Sequence, residues 1–175
     1  MLRCLLTVGV ISDTHGILEP EVLKIFRGVA LILHGGDIGA PAVLRALEGV
    51  APVKAVLGNV DDPKAVGRHP AARVETLDGL RVYMTHQIGA PDRVLPKVAR
   101  AVGKERAQAV IFGHSHRPYN AEHEGILFLN PGGAGPRRFG LPRSVGLLRI
   151  LGGTPVAEIV HLNESRGEAG ANPRA

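Results

Sequence analysis

Five short polar clusters, each set just past an apolar run, limit what this chain can fold into more than any other feature. They are Asp13-Thr14-His15 after VGVI, Gly35-Gly36-Asp37 after LILH, Gly58-Asn59-Val60-Asp61 after VKAVL, His86 after VYMT, and Gly113-His114-Ser115-His116 after AVIF. Such short, bounded apolar runs read as buried strands. Strand ends in layered α/β proteins converge on one rim, so residues a hundred positions apart can meet there. The clusters carry seven metal-ligand side chains: Asp13, His15, Asp37, Asn59, His86, His114 and His116. Carboxylate, imidazole and amide oxygen together suffice for two divalent cations, which points to metal-assisted hydrolysis, with a phosphate ester as the leading substrate class.

Each cluster alone has an ordinary explanation. Asp13 with His15 reads as a helix cap beside a surface histidine, Asp37 as a turn residue, Asn59 as part of a tight turn, and His86 as a hydrogen-bonded histidine. Only Gly113-His114-Ser115-His116 is persuasive by itself, because two imidazoles at spacing two just past a strand serve no purpose of solubility. Five innocent clusters, all in the same position relative to a strand, are a poor explanation of the whole. His34 lies beside Asp37 and is expected to orient it from behind, and Asp61 to order its loop. His69, His123 and His161 receive no role.

Composition narrows the surroundings of such a site. With 175 residues, 45% of them apolar, the chain can bury a real core, and with 3% aromatics and no Trp that core is aliphatic. Few aromatics also argue against a surface that stacks RNA bases. Cys4 has no internal partner, which suits a buried thiol and a reducing, cytoplasmic setting. The apolar opening is too short for a signal peptide, and no run is long enough to span a membrane. The net charge of +5 comes from scattered Lys and Arg, compatible with an anionic substrate and weak evidence for nucleic acid.

The spacing predicts strands over 5–11, 30–34 and 52–57 alternating with helices over 19–28 and 41–48, hence a parallel sheet covered by helices. The second half differs. Asp78-Gly79 predicts a hairpin of 72–77 with 80–85. A helix over 92–102 and a strand over 108–112 follow, then strands near 118–121, 126–130, 144–151 and 154–161 without helices between them. That order implies an antiparallel portion, in two packed sheets or one mixed sheet. The reading is one domain over 1–162 and a disordered polar tail over 163–175.

ISDTHG, HGGD, GNVD, THQI, GHSH and NPGG, in that order, resemble the motifs of the calcineurin-like metallophosphoesterases, specifically their small bacterial and archaeal phosphodiesterase branch. The resemblance spans about residues 7–135. It implies a four-layered α/β/β/α sandwich of two mixed sheets. It also implies that Asp13, His15, Asp37 and His116 bind one metal and Asp37, Asn59, His86 and His114 a second, with Asp37 bridging. Two departures stand out. Val60 occupies the place of a histidine that larger phosphomonoesterases have as candidate general acid, which favours leaving groups needing little protonation. Gln87 stands where Gly usually follows the histidine, and Ala40 where a charged residue is common; both are expected to reshape the pocket without touching the metals.

The expected chemistry is attack on a small-molecule phosphodiester by a hydroxide shared between two divalent ions, Mn²⁺ first, with Fe, Zn²⁺ or Ni²⁺ as alternatives, because four imidazoles suit transition metals better than Mg²⁺. Asn59 and His114 are expected to hold the phosphate as well as a metal. Arg137 and Arg138, beside the glycines of NPGG, are candidates for binding the substrate's charge. The competing readings are a catalytically weak protein-binding scaffold of the same fold, like the retromer subunit of eukaryotes, and a nuclease acting on nucleic acid; a homodimer is compatible with all three.

Overall fold

A computed structural model describes residues 5–163. Cys4 and residues 164–175 lie outside it, so the expected free thiol and almost all of the expected tail do too. Asn163, the first residue of that tail, donates its backbone N–H to Glu21 over 2.9 Å.

Two five-stranded sheets face each other. The first contains β1 (Leu6–Ile11), β2 (Leu31–His34), β3 (Val53–Ala55), β11 (Ser144–Leu151) and β12 (Thr154–His161), in the order β12-β11-β1-β2-β3. β1, β2 and β3 are parallel, joined by α1 (Pro20–Ile25) and α2 (Pro41–Glu48), while β11 and β12 add antiparallel. The second sheet contains β4 (Ala72–Leu77), β5 (Leu80–Thr85), β8 (Ala109–Ile111), β9 (Tyr119–His123) and β10 (Ile126–Asn130), in the order β4-β5-β8-β10-β9. Here β5, β8 and β10 run parallel, with antiparallel strands at both edges. The paired mixed sheets are as expected.

Strand alternation sorts the apolar side chains into layers. Val8 and Val10 of β1 meet Val82 and Met84 of β5, Ala109 and Ile111 of β8, and Leu127 and Leu129 of β10 between the sheets. Their neighbours point outward. Ile11 joins Val22 of α1, Phe26 just past its end, and Val43 and Leu47 of α2 on one flank. Tyr83, Val110 and Phe128 join Val98 and Val102 of α4 (Pro96–Glu105) on the other. Helix, sheet, sheet, helix is therefore the order of layers.

All four helices among the described residues open on proline: Pro20, Pro41, Pro63 and Pro96. Proline is pre-set for the first helical turn and has no N–H to leave unpaired. It also explains the main misplacement. The helix expected over 92–102 starts at Pro96, because a residue preceding proline is pushed out of the α region. Arg93–Val94 instead forms β7, pairing with Gly89–Ala90 (β6) in a small hairpin that sequence reasoning missed. Also missed was the short α3 (Pro63–Val66), whose Asp62 carboxylate accepts the N–H of Lys64. The first helix ends at Ile25, three residues before Gly28. No helix among the described residues is long and apolar enough to cross a membrane.

Candidate metal centre

The parallel strands of both sheets end at one lip. β1 delivers Asp13 and His15, β2 delivers Asp37, β3 delivers Asn59, β5 delivers His86, and β8 delivers His114 and His116. The backbone ladder runs past the strand ends: Gly35 N–H donates to Ile11 O, Asp13 N–H to Gly36 O, His15 N–H to Asp37 O and Gly16 N–H to Ile38 O. Those two loops are thereby zipped together.

Five of the seven expected ligands have left-handed backbone: Asp13 (φ 56°), His15 (45°), Asp37 (53°), His114 (70°) and His116 (56°). Such conformations cost a non-glycine residue on the order of 1 kcal/mol or more and persist where the surroundings over-determine them, typically at functional sites. Two glycines permit the close approach this requires. A Cβ on Gly58 would lie 2.0 Å from Asp37 Oδ1, and one on Gly113 would lie 2.0 Å from Ser12 Oγ and 2.7 Å from Asp13 Oδ2.

The side chains converge. Nε2 of His116 is 3.4 Å from Asp13 Oδ1 and 3.3 Å from Nε2 of His15, whose ring it stacks on. Asp37 Oδ2 stands between the two halves of the cluster, 3.8 Å from His15 Nε2 and 3.3 Å from His86 Nε2. Two groups could each hold a metal ion, Asp13-His15-His116 and Asp13-Asp37-His86, with ligand atoms in each within 4.8 Å of one another. Asp13, rather than the expected Asp37, is the carboxylate common to both groups. Asn59 and His114 form a neighbouring pair, Oδ1 to Nδ1 3.0 Å, with the His114 ring edge-on to His86 at 5.3 Å. All seven side chains thus lie in one cluster.

His86 tests whether a cation fits. Its Nδ1 is 2.8 Å from Gly35 O, so the proton sits there and the Nε2 lone pair faces the carboxylates. Nε2 is the one buried side-chain nitrogen or oxygen among the described residues without a hydrogen-bond partner. It lies 3.3 Å from Asp37 Oδ2 but too poorly aligned for a hydrogen bond. A lone pair and carboxylates sharing a buried point call for a positive charge between them. Titration agrees. Burial pushes His86 down, but Asp37 and Asp13 outweigh it and hold the imidazole above its usual range, a proton standing in for a cation. Burial lifts Asp13 to about 6. Burial also pushes Asp37 up, but contact with His86 and its charge win, bringing Asp37 down to about 2. His15, His114 and His116 are pushed down by burial, His116 to about 4, which leaves neutral nitrogens able to ligate.

Behind this cluster, two roles differ from expectation. His34 does not touch the Asp37 carboxylate. It is fully buried, accepts the Gly36 N–H at Nδ1 (3.2 Å) and donates from Nε2 to Thr14 Oγ1 (3.0 Å), whose hydroxyl donates on to Ile38 O (2.9 Å). It fastens loops rather than orienting a ligand, and burial holds it neutral down to about 3. Gln87 does touch candidate ligands: its Nε2 is 3.1 Å from Asn59 Oδ1 and 3.2 Å from His114 Nδ1. Within NPGG the Gly132 N–H goes to Asn130 Oδ1, and just past it Ala134 and Gly135 donate theirs to Ser12 O and Asp13 O, which makes this stretch a hydrogen-bonded turn. Asp61 does order its loop, accepting the N–H of Gly39 and of Gly58, each over 2.9 Å. Asn130 went unrecognised as a brace: buried, it donates from Nδ2 to Gly113 O (2.9 Å) and Ser115 Oγ (3.1 Å). Arg137 and Arg138 are exposed, and Arg138 is near enough for its charge to lower both His15 and His116.

The sequence signature described as "Calcineurin-like phosphoesterase superfamily domain" matches residues 6–153. The chain belongs to the calcineurin-like phosphoesterase superfamily. The superfamily is hydrolytic and metal-dependent, in keeping with the clustered donors. Among its relatives, a protein of Methanothermobacter thermautotrophicus described as "Probable metallophosphoesterase" is 38% identical over 159 residues, 87% of this chain and 91% of that one. A phosphodiesterase of Methanocaldococcus jannaschii is 26% identical, covering 81% of this chain and 91% of its own. Among solved structures, Vacuolar Protein Sorting 29 of Cryptosporidium parvum shares the fold with a TM-score of 0.72 at 19% identity, over 91% of this chain and 99% of that one.

Proposed function

We propose that this calcineurin-like phosphoesterase hydrolyses small phosphodiesters with two divalent cations, Mn²⁺ foremost and Fe, Zn²⁺ or Ni²⁺ as alternatives. One ion is assigned to Asp13, His15, Asp37 and His116, the other to Asp37, Asn59, His86 and His114. The observation that carries this is the unpartnered Nε2 of His86 facing Asp37 and Asp13 in a buried cluster. Asp37 suits the bridge better than Asp13. Both Asp13 oxygens already face the His114 N–H (3.2 and 3.1 Å), whereas Asp37 commits only Oδ1, to the Val60 N–H (3.1 Å). Four imidazole ligands favour a transition metal.

When bound, such ions supply charge that neutralises a phosphate and acidifies water at neutral pH. The residues do the remainder. The zipped loops hold the donors in place without reorganisation. His114 and Asn59, at the exposed end of the cluster, orient the phosphate, and Arg138 at the opposite edge adds positive charge for it. Val60 is 57% exposed beside the site and carries no proton, so the residues here favour esters whose leaving group needs little protonation. The phosphodiesterase relative supports a diester substrate. A cytoplasmic setting and a single domain over 1–162 remain part of this reading.

Metal-supplemented hydrolysis of bis-p-nitrophenyl phosphate tests it. Asp37→Asn and His116→Ala are each expected to lower turnover at least a hundredfold while circular dichroism stays unchanged; full activity in either refutes the ligand assignment. The likeness to Vacuolar Protein Sorting 29 favours one second reading, a protein-binding scaffold. Tight metal with no turnover on any diester, monoester or oligonucleotide would select it.

A further inference from the structure

Next to the candidate metal centre, on the β5–β8 side, is a cavity of about 340 Å³. Gln87 and His114 line it as well as the exposed half of the centre, so it borders the centre directly. Beyond those residues its character changes. Ile88, Ala90, Pro91, Phe112 and Tyr119 line it, with the Phe112 and Tyr119 rings 6.3 Å apart and tilted. Among the described residues, Arg117 is its one lining side chain with a fixed charge, and no carboxylate lines it. Ala90 belongs to the β6–β7 hairpin, which forms the outer wall.

A phosphodiester carries two organic arms, and the metal centre accounts only for its phosphate. An apolar, aromatic-floored space opening from the His114 end suits one arm, and its size holds a single nucleoside or aryl group rather than a strand. We propose that this cavity is the subsite for one aromatic ester arm of the substrate, a nucleobase or aryl ring, with Arg117 at its edge and the phosphate at His114. The assignment rests on the phosphoesterase reading above and adds the substrate class to it: diesters bearing at least one flat, mononucleotide-sized arm.

The test compares binding of inorganic phosphate and of thymidine 5′-monophosphate to the Mn²⁺-loaded full chain by calorimetry. Both ligands present phosphate, and only one carries an arm. The nucleotide is expected to bind at least tenfold more tightly. Ala90→Trp, which fills the cavity from the hairpin, is expected to bring the two affinities within twofold while phosphate binding and metal content stay unchanged. Equal affinities in the unaltered protein, or a preference that survives Ala90→Trp, overturn the subsite. Failure of phosphate itself to bind takes down the phosphoesterase reading instead, and the subsite with it. An independent measurement covers the case in which Ala90→Trp does not fold. In the unaltered protein, the methyl resonances of Ile88 and Ala90 are expected to shift with the nucleotide and not with phosphate; shifts confined to other residues refute the assignment.

Discussion

At Gln87 one side chain decides how ready the exposed half of the centre is. Its amide nitrogen donates to Asn59 Oδ1, the oxygen assigned to the second ion, and rests against the His114 ring. An ion arriving there must displace the amide, and a hydrogen bond of this kind contributes ~1 kcal/mol. Gln87→Gly, which restores the residue usual in the resembling motif, is therefore expected to tighten the weaker of two Mn²⁺-binding steps about fivefold and leave the stronger one unchanged. A calorimetric Mn²⁺ titration reads both steps, and an unchanged weaker step would show that Gln87 does not compete. Gln87 was legible in the sequence as a departure. Its contact was not, because nothing in THQI says which way a side chain past a strand end will turn.

At the scale of elements, what matters is how the loops lean on one another. The loop of His114 and His116 rests on Asn130, the last residue of β10, through Gly113 O and Ser115 Oγ. Asn130→Ala removes both donors and strands the buried Gly132 N–H, while the Gly113 carbonyl keeps the Ser115 N–H over 2.9 Å. A stability loss of roughly 1–3 kcal/mol is expected, the cost of one unsatisfied buried group, together with about tenfold weaker Mn²⁺ binding. Chemical denaturation and metal titration check the two effects, and Asn130→Asp, which keeps the acceptor for Gly132, should fall between. The strands were readable from sequence because apolar runs such as AVIF and VGVI have one sensible burial, and the hairpin because Asp78-Gly79 suits its turn, with Asp78 at φ 45°. The braces were not. Asn130 and His34 look like any polar residue at a strand end, and their partners lie 17 and 20 residues away. The β6–β7 hairpin escaped because Val94, Leu95 and Val98 mimic a helical stripe that Pro96 forbids.

For the whole molecule, buried imidazoles set the response to acid. An unfolded histidine takes up a proton near 6.5, whereas His34 resists to about 3 and His116 to about 4. Between those values the unfolded chain binds more protons, so the contribution of these histidines is complete above 6.5 and is lost as pH falls. Asp13 acts in the opposite sense. Raised from 3.8 to about 6, it favours the folded state at acid pH and loses that contribution as pH rises through 6. His86, held above its usual range, acts in the same sense as Asp13, whereas His15 and His114 act with His34 and His116, so the groups lowered by burial outweigh the two that are raised. The chelator-treated protein should have a lower urea midpoint at pH 5 than at pH 7, and His34→Gln should narrow the difference; a higher midpoint at pH 5 would contradict this balance. The sequence marked where the chain's chemistry lies but not this balance, since burial at a rim between two sheets is a property of the assembled layers.

The left-handed turns at Asp13, His15, Asp37, His114 and His116 have a consequence for how the protein meets its ions. The discomfort at Asp13, His15 and Asp37 is underwritten by sheet-like pairing between loops, and that at His114 by the Asp13 carboxylate, so the proposed cage stands ready before any cation arrives. Loading should then resemble filling a socket more than organising a disordered segment, and stripping the ions should leave the polypeptide folded with its socket open.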